Sequence, residues 1–131
     1  MILGLGVDLC PIERIEQMID RHGRKFLDRV YTAEEQQYAD QGRVKGERFA
    51  ARFAAKEAAI KALGAPEGLR WKDMEVRRQP SGVPTMNFHG AAETAAAERG
   101  VTRTTLSLSH AGGMAVAVVI LEGGESPHVE Q

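Results

Sequence analysis

The sequence predicts an α+β domain in which a long central helix packs on a mainly antiparallel sheet. Residues 48–63, RFAARFAAKEAAIKAL, are dominated by alanine and have high helical propensity. Residues 2–9, ILGLGVDL, alternate in the way that an opening strand does. Most strand-like runs are gathered in the second half of the chain, with one short helix among them. This order of strand, helices and then strands with one helix is typical of an α+β domain.

Length, cysteine content and charge limit the classes of function. The 131 residues predict one domain at residues 1–121 and a flexible tail at 122–131. Cys10 is the single cysteine, so no intramolecular disulfide can form and a cytoplasmic location is expected. No basic region precedes the first apolar run and no apolar stretch approaches about 18 residues, which predicts neither a signal peptide nor a membrane span. The net charge of −1 argues against a general nucleic-acid binder.

The first strand carries two glycines and a carboxylate on one face. Gly4, Gly6 and Asp8 alternate with apolar residues that face the other way. Glycines at these positions predict that something approaches the strand backbone closely, with Asp8 at the end of the strand beside the cleared space. We therefore interpret Asp8 as a site residue. The alternative is that Asp8 caps the next helix, because Pro11 suits a first helical turn.

Two helices and a short apolar turn are predicted next. The first helix runs from Pro11 to about Arg21 and ends before Gly23. A short apolar turn covers residues 26–30, after which Thr32 and Glu35 fit a capping box that opens a helix through about residue 40.

The central helix begins near residues 43–47 and ends at residue 63, where Gly64, Pro66 and Gly68 interrupt the pattern. Glu57 and Lys61 continue a row of every fourth residue that starts with two phenylalanines, so the four side chains share one helical face. A carboxylate among packing residues needs a positive partner. The alternative is an exposed Glu57 that pairs only with Lys61.

The second half predicts two hairpins around a helix. Residues 74–78 and 85–89 read as strands joined by a tight turn that contains Gly82 and Pro84. A helix at residues 91–99 ends at Gly100. Residues 104–110 and 114–121 then form a second hairpin, with His110 at its mouth.

Three stretches together resemble one family. GVDLCPIERI, RFAAKEAAIKALG and LSLSHAGGMAVAVVI resemble the characteristic segments of the holo-acyl-carrier-protein synthases, which are 4'-phosphopantetheinyl transferases, and the likeness spans residues 2–121. The resemblance implies that family's fold and the transfer of 4'-phosphopantetheine from coenzyme A to a serine of apo acyl carrier protein in fatty acid biosynthesis, with release of adenosine 3',5'-bisphosphate. Two departures concern cofactor contacts: residues 64–68 read GAPEG where the family usually has a Gly-Thr-Gly loop, and Met114 replaces a common aromatic.

The resemblance also implies roles for individual residues. Mg²⁺ prefers oxygen ligands, usually one or two carboxylates with substrate phosphates, so Asp8 and Glu57 are the predicted metal ligands. Glu57 and Lys61 are the predicted catalytic residues; Glu57 acting through water and a metal-bound water are rival general bases. The predicted cofactor contacts are Arg52, Lys61, Gly64, Gly82, Pro84 and His110. Alternatively, His110 bonds only to backbone, and the turn at residues 82–84 merely connects two strands.

The implied partners are coenzyme A, acyl carrier protein and further copies of the chain. The carrier protein is expected on a basic surface formed by Arg14, Arg21, Arg24 and Lys25. A homotrimer with active sites between subunits is implied by the resemblance, and the glycine-bearing strand face and the alanine-rich helix are the surfaces expected to make close contacts. Competing functions are a noncatalytic oligomeric module that binds nucleotide and metal, and a metal-dependent phosphohydrolase.

Overall fold

The computed structural model describes residues 1–41 and 45–124, and it confirms the α+β class. Within these ranges the strands are β1 (Ile2–Pro11), β2 (Met74–Arg78), β3 (Pro84–Phe88), β4 (Val101–Ala111) and β5 (Met114–Gly123). The helices are α1 (Ile12–His22), α2 (Arg24–Val30), α3 (Ala33–Ala39), α4 (Lys45–Ala62) and α5 (Gly90–Glu98), with a 3-10 turn at Trp71–Asp73.

The central helix α4 packs directly on the glycine face of β1. Strands β1, β5 and β4 form an antiparallel sheet in that order. A Cβ added to Gly6 would lie 1.8 Å from the Ala58 carbonyl oxygen, and one on Gly4 would lie 2.2 Å from the Ala62 carbonyl oxygen. The predicted close backbone approach is therefore present, and its partner is the chain's own helix. The expectation that this strand face is free to contact another subunit is wrong.

The first strand runs further than the sequence indicated. It continues through Pro11 and pairs with β5 along this length, so Asp8 lies inside the strand and not at its end. Pro11 occupies the N-cap position of α1, and no side chain caps that helix. The alternative role of Asp8 as a helix cap is therefore excluded.

The structure confirms the predicted start of α3 and corrects the segment before it. The Thr32 side chain accepts from the Glu35 backbone NH, and Glu35 accepts from the Thr32 NH, which completes the predicted capping box. The predicted apolar turn is instead the seven-residue helix α2, which buries Phe26, Leu27 and Val30. Packing of these side chains explains why so short a segment is helical.

Both predicted hairpins are present. Strands β2 and β3 pair through a turn closed by the Gln79 NH and the Val83 carbonyl at 2.9 Å, with Gly82 at φ 93°. Strands β4 and β5 are joined at Gly112 and Gly113, whose positive φ values suit the tight turn. Strand β5 extends to Gly123, beyond the predicted boundary at residue 121. Residues 125–131 of the predicted tail lie outside the described part of the chain.

A buried ion pair ties the helical layer to β2. The Lys56 ammonium lies 2.9 Å from the Glu35 carboxylate, and both side chains are fully buried. Lys56 also donates to the Met74 and Trp71 carbonyls, and Glu35 accepts from the Val76 NH at 2.8 Å. These bonds fix α4 against α3 and β2.

In residues 1–41 and 45–124, no helix has the length and apolar character required to cross a membrane.

Candidate active site

Asp8 and Lys61 meet where β1 crosses α4. The Lys61 ammonium lies 2.8 Å from an Asp8 carboxylate oxygen and 3.3 Å from the Val7 carbonyl. The Asp8 side chain is only 11% exposed, whereas that of Lys61 is 56% exposed. The hydrogen bond to Asp8 and the Asp8 charge raise the pKa of Lys61, so its cation is maintained at the surface.

Glu57 brings a second carboxylate to this point. Partial burial raises the pKa of Glu57, and the charge of Asp8 and a hydrogen bond between the two carboxyl groups raise it further. Lys61 and, to a smaller extent, Arg14 oppose this shift. Asp8 and Glu57 therefore lie close together, and the charge of Asp8 disfavours the ionised form of Glu57. The simple pairing of Glu57 with Lys61 is not among the ion pairs of the described residues, since Lys61 pairs with Asp8.

This carboxylate cluster, which we define as Asp8, Glu57 and Lys61, has a donor set that suits a hard divalent cation. Two adjacent carboxylates are the protein ligands that Mg²⁺ commonly uses, with the remaining positions taken by water and substrate phosphates. The Asp8 charge beside Glu57, which after burial is the next cause of the raised Glu57 pKa, would favour a bound cation here. The described residues contain no group of three or more histidine, cysteine, aspartate or glutamate side chains placed to hold a metal. The protein thus offers part of a coordination shell that a phosphate could complete.

Arg52 lies in a separate cationic pocket. This cavity of about 220 Å³ is lined by Tyr38, Glu47, Arg48, Ala51, Arg52, Arg78, Leu108, Ser109 and His110. The Arg52 side chain is buried, and burial is the main cause of its lowered pKa. Its buried Nε atom has no hydrogen-bond partner among the described residues. We call this cavity the arginine pocket.

His110 belongs to the arginine pocket and not to the carboxylate cluster. Its Nδ1 atom lies 3.6 Å from a Glu47 carboxylate oxygen, and its side chain is half exposed. Strand β5 separates the two sites, because Ala117 pairs with Asp8 on one side and with Leu108 on the other. Two strand spacings are about 10 Å. Asp8 and His110 of one chain therefore do not meet directly, contrary to the convergence expected from the sequence.

The three predicted contacts near the adenosine end are spread over two places. Gly64 follows α4 with φ 82°, and a Cβ there would lie 2.9 Å from an Arg99 guanidinium nitrogen. Gly82 lies in the β2–β3 turn, two residues before Pro84 at the start of β3, and a Cβ on Gly82 would lie 3.2 Å from an Arg78 guanidinium nitrogen. The turn thus adjoins the arginine pocket through Arg78, while Gly64 adjoins the C-terminal end of α4.

The predicted basic surface is present on α1 and α2. All four of its side chains are exposed, namely those of Arg14, Arg21, Arg24 and Lys25. Arg24 is partly engaged, since it donates to the Gln36 side chain and lies 3.7 Å from Asp28. A groove of about 520 Å³ beside this surface is lined by Met18, His22, Lys25, Phe26 and Arg29.

Comparison with known proteins connects this geometry to a family. Residues 4–119 match the model of the 4'-phosphopantetheinyl transferase superfamily. The holo-[acyl-carrier-protein] synthase of Koribacter versatilis is 52% identical over 124 residues, covering 93% of this chain and 99% of that protein. The corresponding synthase of Anaeromyxobacter dehalogenans strain 2CP-C is 48% identical over 126 residues, covering 94% of this chain and 98% of that protein.

The chain belongs to the holo-acyl-carrier-protein synthases of this superfamily. Solved structures agree. The synthase of Helicobacter pylori in complex with coenzyme A has a TM-score of 0.79 and 29% identity, covering 90% of this chain and 99% of that chain. The synthase of Bacillus anthracis in complex with CoA (3',5'-ADP) has a TM-score of 0.76 and 35% identity, covering 95% of this chain and 99% of that chain.

One departure from the usual pattern of holo-acyl-carrier-protein synthases has a visible backbone consequence. The NH groups of Gly64 and Ala65 bond back to the carbonyls of Lys61 and Ile60, which closes the end of α4. Ala65 then adopts φ 52°, the only positive φ of a non-glycine residue in the described chain. Alanine in this left-handed region costs about 1 kcal/mol. Pro66 follows Ala65 directly.

Sequence reasoning missed several polar residues that this synthase uses structurally. The alanine-rich pattern of α4 gives no sign that Lys56 is fully buried against Glu35. Tyr38, Arg48 and Arg78 were assigned no role, although they line the arginine pocket. The spacing of Arg48 and Arg52 by one helical turn was the one local signal that could have indicated a shared cationic face.

Proposed function

We propose that this enzyme transfers 4'-phosphopantetheine from coenzyme A to a serine hydroxyl of apo acyl carrier protein and releases adenosine 3',5'-bisphosphate. The observation that carries the proposal is the carboxylate cluster, found in a chain of the holo-acyl-carrier-protein synthases. Its two acids and one surface cation suit a metal-assisted reaction at a pyrophosphate. The solved structures of two relatives are complexes, one with coenzyme A and one with CoA (3',5'-ADP).

Asp8 and Glu57 are the residues we propose to hold Mg²⁺. A bound Mg²⁺ would neutralise negative charge on the pyrophosphate and orient its reacting phosphoryl group. The protein's own contribution is to fix both carboxylates through the β1–α4 contact at Gly4 and Gly6. Because Glu57 is held beside Asp8, it gains from a cation more than an isolated surface acid would.

Lys61 and Glu57 are the proposed catalytic residues. The Lys61 ammonium is exposed on one side and anchored by Asp8 and the Val7 carbonyl on the other, so it can present a positioned charge to a phosphate. Glu57, acting through a water molecule, is the proposed base for the serine hydroxyl, and a metal-bound water is the alternative base.

Phosphate and adenosine contacts are proposed outside the cluster. Arg52 and His110 would bind phosphate oxygens in the arginine pocket, and Gly82 with Pro84 would lie near the adenosine beside Arg78. Gly64 would contribute from the end of α4. Positive side chains around a small cavity are suited to phosphate because guanidinium groups donate several hydrogen bonds in a fixed plane.

A homotrimer with active sites between subunits is supported by the placement of these two regions. Arg52 and Glu57 are five residues apart on α4, so they point in directions about 140° apart around the helix. One chain therefore presents the carboxylate cluster and the arginine pocket on different faces. The outward row Leu5, Val7 and Leu9 of β1 is exposed and apolar, and we propose it as the subunit contact in place of the glycine face.

Acyl carrier protein is the proposed macromolecular partner. The exposed basic surface of α1 and α2 and the adjacent groove would receive an acidic carrier, and charge complementarity would speed encounter and fix orientation. Arg14 is well placed because its charge also acts on Glu57. We propose the cytoplasm as the location, because a chain with a single cysteine cannot form an intramolecular disulfide, and proteins without disulfides are typical of reducing compartments.

The test is an assay with coenzyme A, Mg²⁺ and apo acyl carrier protein, followed by intact mass of the carrier. A mass gain of one phosphopantetheine is expected with the wild type. Asp8→Asn and Glu57→Gln should each reduce the rate at least about 100-fold and raise the Mg²⁺ requirement, because each removes a charge and preserves shape. Glu98→Gln, at the exposed end of α5, is the matched control and should behave like the wild type.

Other outcomes identify the competing functions. Release of free phosphate without carrier modification indicates a phosphohydrolase, and binding of the nucleotide without either product indicates a noncatalytic module. Wild-type rates in both carboxylate variants at ordinary Mg²⁺ concentration would contradict the metal-site assignment even if the transfer itself were observed.

A further inference from the structure

We propose that Tyr38 is a positioning residue whose ring gathers three arginines into the arginine pocket, so that their guanidinium groups converge on a phosphate group. The inference rests on the proposed function, in which this pocket receives part of the nucleotide cofactor. Tyr38 lies on α3, Arg48 and Arg52 on α4, and Arg78 at the end of β2. The side chain of Tyr38 thus connects cations from two other elements, α4 and β2.

The distances show that the ring is central to this arrangement. The guanidinium carbons of Arg48, Arg52 and Arg78 lie 4.2, 4.3 and 4.9 Å from the centroid of the Tyr38 ring. All three are within the range in which an aromatic ring attracts a cation. Cation attraction to a shared ring compensates part of the repulsion among three like charges.

The three arginines depend on Tyr38 in different ways. Arg78 donates to the Tyr38 hydroxyl at 2.7 Å, and Arg48 donates to the Tyr38 and Gln41 backbone carbonyls, each at 2.9 Å. Arg52 is only 3% exposed, and its guanidinium group packs against the Tyr38 ring. Its buried Nε has no partner among the described residues. Loss of the ring should therefore affect Arg52 most, while loss of the hydroxyl alone should affect Arg78.

The charge balance of the pocket favours a multiply charged anion. Three arginines face Glu47, and His110 lies beside Glu47. With a neutral histidine the described lining carries two net positive charges, which match a phosphate dianion. Arg52 is buried, whereas Arg48 is half-buried and Arg78 is exposed, so the charge of Arg52 is the least screened of the three. A phosphate monoester or a pyrophosphate fits this chemistry.

The test compares Tyr38→Phe and Tyr38→Leu in the full chain. Phenylalanine keeps the ring and removes only the bond to Arg78, whereas leucine removes the ring from all three arginines. The control is Phe88→Leu, which removes another half-buried ring at the end of β3, away from these arginines. Inorganic pyrophosphate, titrated by calorimetry without Mg²⁺, probes the pocket directly. Steady-state transfer measurements give KM for coenzyme A, KM for the carrier and kcat.

We expect Tyr38→Leu to weaken pyrophosphate binding and raise KM for coenzyme A by about tenfold, with kcat and KM for the carrier within about twofold of the wild type. Tyr38→Phe should lie within about threefold of the wild type, because the ring is retained. Equal losses in Tyr38→Leu and Phe88→Leu, or normal pyrophosphate binding in Tyr38→Leu, would overturn the positioning role. A wild type that binds pyrophosphate in a Tyr38-dependent manner but transfers nothing would support that role and overturn the proposed function.

Discussion

Replacing Gly6 with alanine is the most direct way to disturb the proposed site without touching its functional groups. The added Cβ would sit 1.8 Å from the Ala58 carbonyl oxygen, whereas real Cβ atoms essentially never approach within 3.0 Å of such an atom. Strand β1 and helix α4 must then separate by about 1.2 Å or more. The obstacle is backbone on both sides, so a rotamer change cannot relieve it.

Two quantities follow from this separation. Overpacking against rigid backbone costs about 3 kcal/mol, at the upper end of the usual range. For a chain of 131 residues that corresponds to a Tm lower by about 10 °C. The same movement stretches the 2.8 Å contact between Lys61 and Asp8, and a misplacement of about 1 Å at a reacting centre can reduce the rate about 100-fold.

Scanning calorimetry and the carrier-mass assay, the latter at a temperature well below both transitions, measure these effects. Gly46→Ala is the matched control, because its Cβ would meet only the flexible end of the Glu16 side chain and alanine favours the helix. Gly46→Ala should keep the wild-type rate with an unchanged or slightly higher Tm. If Gly6→Ala also retained the wild-type rate and a Tm within about 2 °C, the rigid β1–α4 contact would not be what positions Asp8.

Three further variants test separate features. Lys56→Met should destabilise the fold by about 3–5 kcal/mol in urea unfolding, because Glu35 would remain as a buried, unpaired charge; the double variant with Glu35→Gln should be less destabilised. Without divalent cations, the Tm of Glu57→Gln should increase relative to that of the wild type as pH rises. The raised pKa of Glu57 in the folded state stabilises the wild type below the ordinary pKa of 4.5. This stabilisation is lost as pH increases through the raised pKa. A Tm difference that did not change with pH would contradict the coupling of Glu57 to Asp8. Arg14→Glu should raise KM for the carrier and flatten its salt dependence while KM for coenzyme A stays within about twofold; equal changes in both KM values would place Arg14 at the nucleotide.

The sequence predicted those features whose causes are local. The alanine run specified α4, Thr32 and Glu35 specified a helix start, and the glycines between strand-like runs specified both hairpins. Gly4 and Gly6 also indicated that something lies close to the first strand. What they could not indicate was what fills the space, since another subunit and the chain's own helix leave the same pattern in the strand.

Contacts between residues that are distant along the chain could not be predicted from local sequence patterns. Lys56 and Glu35 are 21 positions apart, and neither shows locally that it is buried. Asp8 and Glu57 were brought together by resemblance to a family, not by spacing, and their role in metal binding remains a prediction. His110, at the mouth of the second hairpin, was expected to join them, but the strand order β1, β5, β4 places an entire strand between His110 and Asp8.

The opposite environments of Lys56 and Lys61 give α4 two chemical probes on one helix. The Lys61 amine is exposed and adjoins the carboxylate cluster, whereas the Lys56 amine is sealed from water. An acylating reagent reacts only with accessible, unprotonated amines. It should therefore modify Lys61 slowly in the native enzyme, because the raised pKa of Lys61 keeps this exposed amine protonated, and it should reach Lys56 only when the chain unfolds. Mass spectrometry of a single peptide would then report occupancy of the site from one lysine and opening of the whole fold from the other.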